Sequence, residues 1–371
     1  MEEQTKKRLT KEERAELAAK RKARRKKGWL IALCVFLALV LALLLFFAIY
    51  FGSLMGLINK TGDETLETLS DAEYQEMLDS MRETVADDYT GQILEESDVD
   101  WGEGVEIIED SDEVINILLI GQDGREGEGR QRSDVMMLCT VNKPMKTLTI
   151  TSFMRDMYVQ IPGYQDNRIN VPYVLGGMEL LDETLKTNFG VQVDGNVEVD
   201  FYGFIDIINL MGGIEMELTA AEARYMNLNV SWDVNDGSSK NWNLTAGVNH
   251  LTGSQALAYA RMRYVGNGDY ERTARQRRVL SALVEKAKEL SISELNLLLK
   301  YALPMITTDM ETSQIMNYAL ELFPLLPQIT ITTNRIPVDG GYQDTYIREM
   351  AVLLPDLVKN REALKEFMTI D

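Results

Sequence analysis

Cysteine and histidine are nearly missing from this chain: its 371 residues hold 2 Cys and 1 His. Cys34 sits inside a long apolar segment and Cys139 inside a second apolar run, so the pair forms neither a disulfide nor a metal site. Stability must come from a packed core, for which a hydrophobic content of 45% is ample. A lone histidine excludes a multi-histidine metal centre, and His250 in VNHLTG reads as a structural residue in a turn ahead of a helix. Cationic residues are outnumbered, 38 Lys and Arg against 58 Asp and Glu, for a formal net charge of -20. A dense cluster of arginine in such a chain works against the prevailing field and needs an anion to face.

One stretch lacks charge altogether. Trp29 to Phe51 is 23 residues long, roughly 35 Å as a helix against a hydrocarbon core of about 30 Å. It reads as a single transmembrane helix, and no small-residue cleavage site follows that would make it a signal peptide. Residues 1–28 carry twelve Lys and Arg against five Glu. The positive-inside rule then holds this tail in the cytoplasm and sends everything after residue 51 outside the cell. The expected molecule is a single-pass cell-membrane protein with an extracellular domain, and nucleic acid is excluded as a partner because the arginine-rich segments lie across the membrane from it.

Residues 52–112 are acidic and weakly patterned and read as an extracellular stalk. Residues 113–371 read as one domain, with 113–290 carrying the motifs and 291–371 completing it. Short Val-, Ile- and Thr-rich runs (VINILLI, DVMMLCTV, KTLTITS, DMYVQIP) predict strands. Helical spacing follows at 176–189, then a strand VEVDF, a helix FIDIINLM and a strand IEMEL. Further helices are predicted at 253–263, 270–290, 294–302 and 312–323, a strand at ITITTNRIPV and a last helix over 344–361. Interleaved strands and helices indicate an α/β fold, a mixed central β-sheet flanked by helices.

Residues 259–279, YARMRYVGNGDYERTARQRRV, contain six arginines and no lysine. A helix capped by Asp269 places Arg272, Gln276, Val279, Leu280 and Leu283 on one buried stripe, with Arg275 at its border. Arg277 and Arg278 project away, toward solvent. Arg261 and Arg263 flank a glycine-bearing loop, and Arg155 and Arg168 stand after strands. Convergent guanidinium forks suit a pyrophosphate, and structural ion pairs are the alternative for each one taken singly. Asp123 ends one strand and Asp134 opens the next, on either side of a glycine-rich loop. Two carboxylates so placed suit Mg²⁺ beside phosphate, or they pair with Arg125, Arg130 or Arg132. An apolar groove for a lipid tail is expected among the Met- and Leu-rich helices after 173, whose spacing equally suits plain core.

Taken in order, INILLIGQDGREGEGRQRSD, SFMRDMYVQIPG, NRINVPYVLGG, VDFYGFIDIINLMGGIEM, LTAGVNHLTGSQALAYARMR and GDYERTARQRRVL resemble the LytR-CpsA-Psr family of cell-wall glycopolymer ligases. The resemblance covers residues 112–290. It implies transfer of a glycopolymer phosphate, from teichoic acid, capsule or a related polymer, from an undecaprenyl-diphosphate carrier to a peptidoglycan acceptor. It also implies that Asp123 and Asp134 hold Mg²⁺ (or Mn²⁺), and that Arg155, Arg261, Arg263, Arg272, Arg275 and Gln276 are the catalytic pyrophosphate-binding set. Arg125, Arg132, Arg168 and Asn170 align with substrate-binding positions, and Asp156 or Asp134 would be the base. Met154 replaces a proline usual in the family, which implies a looser corner before Arg155. Two alternatives share the pocket: a polyprenyl-diphosphate hydrolase, and a non-catalytic lipid-diphosphate sensor in wall regulation.

Overall fold

The computed structural model describes residues 49–61, 70–85, 89–102, 104–108, 111–122, 132–228 and 242–368. A helix α1 over residues 49–55 belongs to the first of two units, residues 1–56, and all other elements to the second, residues 57–371. Among the described residues no helix is long and apolar enough to cross a membrane. The spanning segment expected at 29–51 lies outside them except for its last three residues.

Seven strands make the central sheet, in the order β1 (Asn59–Lys60), β11 (Ile306–Thr308), β8 (Gly195–Asp200), β3 (Val114–Gln122), β4 (Ser133–Asn142), β5 (Thr147–Phe153) and β12 (Thr330–Ile336). The sheet is mixed: β3 is antiparallel to β4 and parallel to β8, and β5 is antiparallel to β4 and parallel to β12. Strands of this kind are apolar on both faces, as the runs in β3 to β5 require. One face carries Leu118, Leu138 and Phe153 into the main core, and the other carries Ile115, Cys139 and Ile150. Two strands from the C-terminal part, β11 and β12, lie within this sheet, so residues 291–371 contribute to the same core.

The helices named from β3 onward follow the predicted spacing closely: α3 (Pro172–Phe189), α4 (Phe201–Leu210), α6 (Gly253–Arg261), α7 (Gly268–Glu289), α8 (Ile292–Ala302) and α9 (Thr312–Leu322), with α5 (Ala220–Leu228) in addition. Gly253 opens α6 where it meets α4. A Cβ there would stand 2.1 Å from the Ile205 carbonyl oxygen, so only glycine lets the two helices pack. This contact sets the direction of α6 and hence of Arg261 at its end.

Four expectations are corrected. Residues 344–361 are not a helix but parts of a hairpin, β13 (Tyr342–Ile347) with β14 (Met350–Pro355), followed by α10 (Leu357–Met368). The region expected as a stalk packs on the domain: α2 (Asp71–Ser80) leads to Met81 and β2 (Ile93–Leu94), which pairs with β13, and Trp101 stacks on Tyr158. The DMYVQIP run yields only the two-residue β6 (Tyr158–Val159), paired with β7 (Asn167–Arg168). His250 lies on a strand, β10 (Gly247–Leu251), paired with β9 (Ile214–Leu218) in a separate ribbon, where its ring bonds Glu215 and the Gly212 carbonyl, each at 2.7 Å.

Candidate active site

Strand register builds the centre of the site. Met137 on β4 faces Ser152 on β5, and continuing that antiparallel register past the strand ends sets Asp134 against Arg155. Arg155 Nη1 lies 2.6 Å from Asp134 Oδ1 and its Nε 3.6 Å from Asp156. The corner before Arg155 is not loose. The Met154 N–H donates to the Ile336 carbonyl at 2.9 Å, a bond proline could not make, and the Met154 side chain is buried in the core.

Helix α7 supplies the second half. It begins one residue before the expected cap, with Asn267 at the N-cap position and no side-chain cap bond. Asp269 in its first turn bonds Arg155 at 3.4 Å, Arg272 at 3.3 Å and, across the preceding loop, Arg263 at 3.6 Å. Arg168 on β7 joins from below, 3.9 Å from Asp156, while its Nη2 donates to Glu83 and the Ala351 carbonyl, both at 2.6 Å. Four guanidinium groups and three aspartates thus meet at one place.

The charges there are not evenly matched. Arg272 is 3% exposed and its Nε has no hydrogen-bond partner. Burial, with Arg155 and Arg263 adding repulsion, pushes its pKa down to about 10. A buried cation crowded by cations is costly unless an anion arrives, so the arrangement is poised for one. Burial works to raise the Asp134 carboxyl, but Arg155, Arg272 and Arg263 outweigh it and hold it below the usual aspartate value. Asp156 goes the other way: burial raises it against the pull of Arg155 and Arg168, and neighbouring Asp269 adds to the rise by its charge and by accepting a hydrogen bond from the protonated Asp156.

A cavity of about 210 Å³ lies between β3, β4 and β8 and helices α4, α6 and α7. Its walls are apolar, among them Leu119, Met137, Val197, Phe204 and Leu283, and its polar lining includes Arg261 and Gln276. One face of α7 connects it to the charged cluster, because Arg272, Gln276, Val279 and Leu283 succeed one another at helical spacing and the last three line the cavity. Of the helices after 173 expected to line an apolar groove, α4, α6 and α7 do so, whereas α3 buries Met178, Leu181 and Leu185 in the main core.

Not every predicted residue joins the cluster. Arg275 is turned into the protein, 1% exposed, donating to Glu222 at 2.9 Å and to the Met262 and Val265 carbonyls at 3.0 and 2.6 Å. It braces the loop that carries Arg263. Arg261 stacks over the Phe201 ring at 4.5 Å beside the cavity. Asn170 is buried with its Oδ1 unpartnered, and Arg132 is exposed just ahead of β4. Asp123 and Arg125 lie outside the described residues. Of the two arginines expected in solvent, Arg278 is half-exposed and pairs with Glu222 and Glu271, but Arg277 is largely buried. Sequence reading took Asp269 only as a helix cap. The signal available for more was its place three residues ahead of Arg272 in the first turn.

The sequence profile of the LytR_cpsA_psr family matches residues 72–366. Among curated relatives, the polyisoprenyl-teichoic acid–peptidoglycan teichoic acid transferase TagU of Enterococcus faecalis is 33% identical over 216 residues, 56% of this chain and 66% of that protein's length. The regulatory protein MsrR of Staphylococcus aureus is 29% identical over 266 residues, 70% of this chain and 76% of that protein. Among solved structures, B. subtilis TagT bound to LIIa-WTA has 26% identity and a TM-score of 0.56, over 72% of this chain and 95% of that one.

Proposed function

This chain belongs to the LytR-CpsA-Psr family, and from that we propose that it is a phosphotransferase moving a glycopolymer phosphate from an undecaprenyl-diphosphate carrier to peptidoglycan. The observation that carries the reading is the continuity along α7, from an anion-hungry arginine cluster to a cavity with apolar walls. A ligand that fits has a multiply charged head and a hydrocarbon tail, which is the make-up of a polyprenyl diphosphate. The name of TagU and the ligand of TagT point to the same donor class for those relatives.

In the reaction, a sugar hydroxyl of the acceptor attacks the glycan-side phosphorus. The new P–O bond forms as the bond to the bridging oxygen breaks, and undecaprenyl phosphate departs with the electron pair. Arg155, Arg263 and Arg272 are placed to stabilise charge gathering on that leaving group, and their catalysis is electrostatic. Asp156 takes the hydroxyl proton, because its raised pKa makes it the stronger base of the two candidates and Asp134 is held ionised by arginines. The hard oxygen donors of an ionised Asp134, with Asp123, fit Mg²⁺ or Mn²⁺. Among the described residues no three acidic, His or Cys side chains cluster as metal ligands, so phosphate oxygens and water would complete the shell. Bound there, the ion supplies further neutralisation of the diphosphate. Anchoring of residues 29–51 in the cell membrane, with the domain outside, would hold the site within reach of a lipid-borne donor.

The test is transfer by the full chain in lipid nanodiscs, from a lipid-diphosphate-linked glycopolymer to peptidoglycan oligomers with Mg²⁺. Substituting Arg155→Ala or Arg272→Ala should slow it by roughly a hundredfold or more. Release of glycan phosphate at full rate without acceptor would show a hydrolase instead. The relative MsrR is named a regulatory protein, which favours a second, regulatory reading; binding of the lipid diphosphate with no turnover under any acceptor condition would select that one.

A further inference from the structure

Arg277 does no work in the site described so far. Its Nε and Nη1 are buried, and neither has a hydrogen-bond partner. On α7 it continues the stripe of Leu280 and Val284, which pack on the sheet layer of Ile150 and Ile331. Further along that same sheet face, two residues beyond Ile150 on β5 and four beyond Ile331 on β12, Ser152 stands beside Arg335 in register. Ser152 is 1% exposed and its Oγ is unpartnered too. Arg335 lies over the Tyr270 ring at 4.7 Å, so Tyr270, two helical turns before Arg277, closes the other side. Arg335 also bonds the Pro337 carbonyl at 3.1 Å and the exposed Asp339. Burial, then Arg335 and Arg278, push the Arg277 pKa down to about 10, against a single opposing carboxylate, Glu271. Two arginines and a hydroxyl therefore share one layer, with donors to spare and too little negative charge to match.

We propose that Arg277, Arg335 and Ser152 form a second anion subsite, which takes a phosphate oxyanion separate from the diphosphate. Its placement fits a further phosphodiester of the glycopolymer. Ser152 precedes Arg155 by three residues, on the order of 10 Å along a strand, a span that consecutive phosphates of a polyol-phosphate chain can bridge. The protein would then select anionic, phosphate-bearing polymers over neutral polysaccharides. The origin of the anion rests on the phosphotransfer reading, but the existence of the subsite does not.

Calorimetric titration of the full chain in nanodiscs separates the two. The probes are inorganic phosphate, pyrophosphate and a tetramer of glycerol phosphate. With Arg277→Met or Arg335→Gln, tetramer affinity should drop at least tenfold and its salt dependence flatten, while pyrophosphate affinity stays unchanged. Equal loss for inorganic phosphate and tetramer would mark a subsite for free phosphate, which overturns the polymer assignment. Tetramer affinity unchanged in both variants overturns the subsite itself. Arg277→Met should leave the melting temperature level or raise it, since an unpaired buried charge is removed; a fall as large as that from breaking a buried ion pair would make Arg277 structural and also overturn the inference. Loss of pyrophosphate binding on Arg155→Ala reports on the first cluster alone, so that reading and this one fail independently.

Discussion

Arg272 and Arg275 stand three residues apart on α7, at 3% and 1% exposure. Each faces a carboxylate, Asp269 for the first and Glu222 for the second. Arg275 has a partner for each of its three nitrogens, and two of them are backbone carbonyls of the loop it holds. Arg272 has an idle Nε and two arginines for neighbours. The same residue type in the same motif at the same depth thus does two jobs. What separates them is the balance of donors against acceptors: a closed balance marks a brace, and an excess of donors marks a place for a ligand.

The widest split between the two should appear when each is truncated. Arg275→Ala leaves Glu222 buried without its main cation and should cost about 3–5 kcal/mol of stability, read as a lowered denaturant midpoint. Arg272→Ala should leave the midpoint level or slightly higher, yet slow transfer by roughly 10²–10³-fold, about 3–4 kcal/mol in the transition state, measured with a lipid-linked donor. If Arg272→Ala unfolds the protein as severely as Arg275→Ala, the two are both braces and the distinction fails.

A smaller effect contrasts charged groups at the two ends of the sheet. Asp182 on α3 is pushed up to about 7, by burial and by Asp309 and Glu179 in spite of the bond from Asn196. The folded protein binds this proton more tightly than the unfolded chain. Its stability therefore falls as pH rises from about 4 to about 7 and is flat above, by linkage. Asp182→Asn should raise stability at pH 8 by on the order of 2–4 kcal/mol and change little near pH 4, as thermal melts at the two pH values would show.

In the site, the sign concerns rate. Because Asp156 must be ionised to accept a proton and its pKa is raised, transfer should climb with pH through a midpoint above the ordinary aspartate value and then level off. Asp156→Asn should remove that limb and lower the plateau about 10²-fold or more, while Asp134→Asn lowers the rate and keeps the limb. A pH profile of single-turnover transfer distinguishes them.

Much of this was visible in the sequence where structure is local. The helical stripe through Arg272, Gln276 and Val279 and the apolar runs of β3, β4 and β5 set the scaffold, and register did the rest by bringing Asp134 to Arg155. The hairpin of β13 and β14 was hidden because its two-residue turn is Arg348 and Glu349, at φ of 52° and 60°, where Asn-Gly or Asp-Gly would announce it. The packing of α2, β2 and Trp101 was hidden because a few anchors, Met81, Leu94 and Trp101, fix it without any periodicity. Arg275 could not be told from Arg272, since its partner Glu222 lies 53 residues away in the chain. The idle donors of Arg277 escaped notice for the same reason, because helical angle alone pointed them outward.

Affinity of the full chain in nanodiscs for a short-chain polyprenyl diphosphate, before and after Arg272→Ala, tests the convergence of arginines on a lipid diphosphate most directly. A loss of at least a hundredfold, with the tail-only polyprenol bound equally by both proteins, is the expected result. Equal affinity of the two proteins for the diphosphate would contradict it.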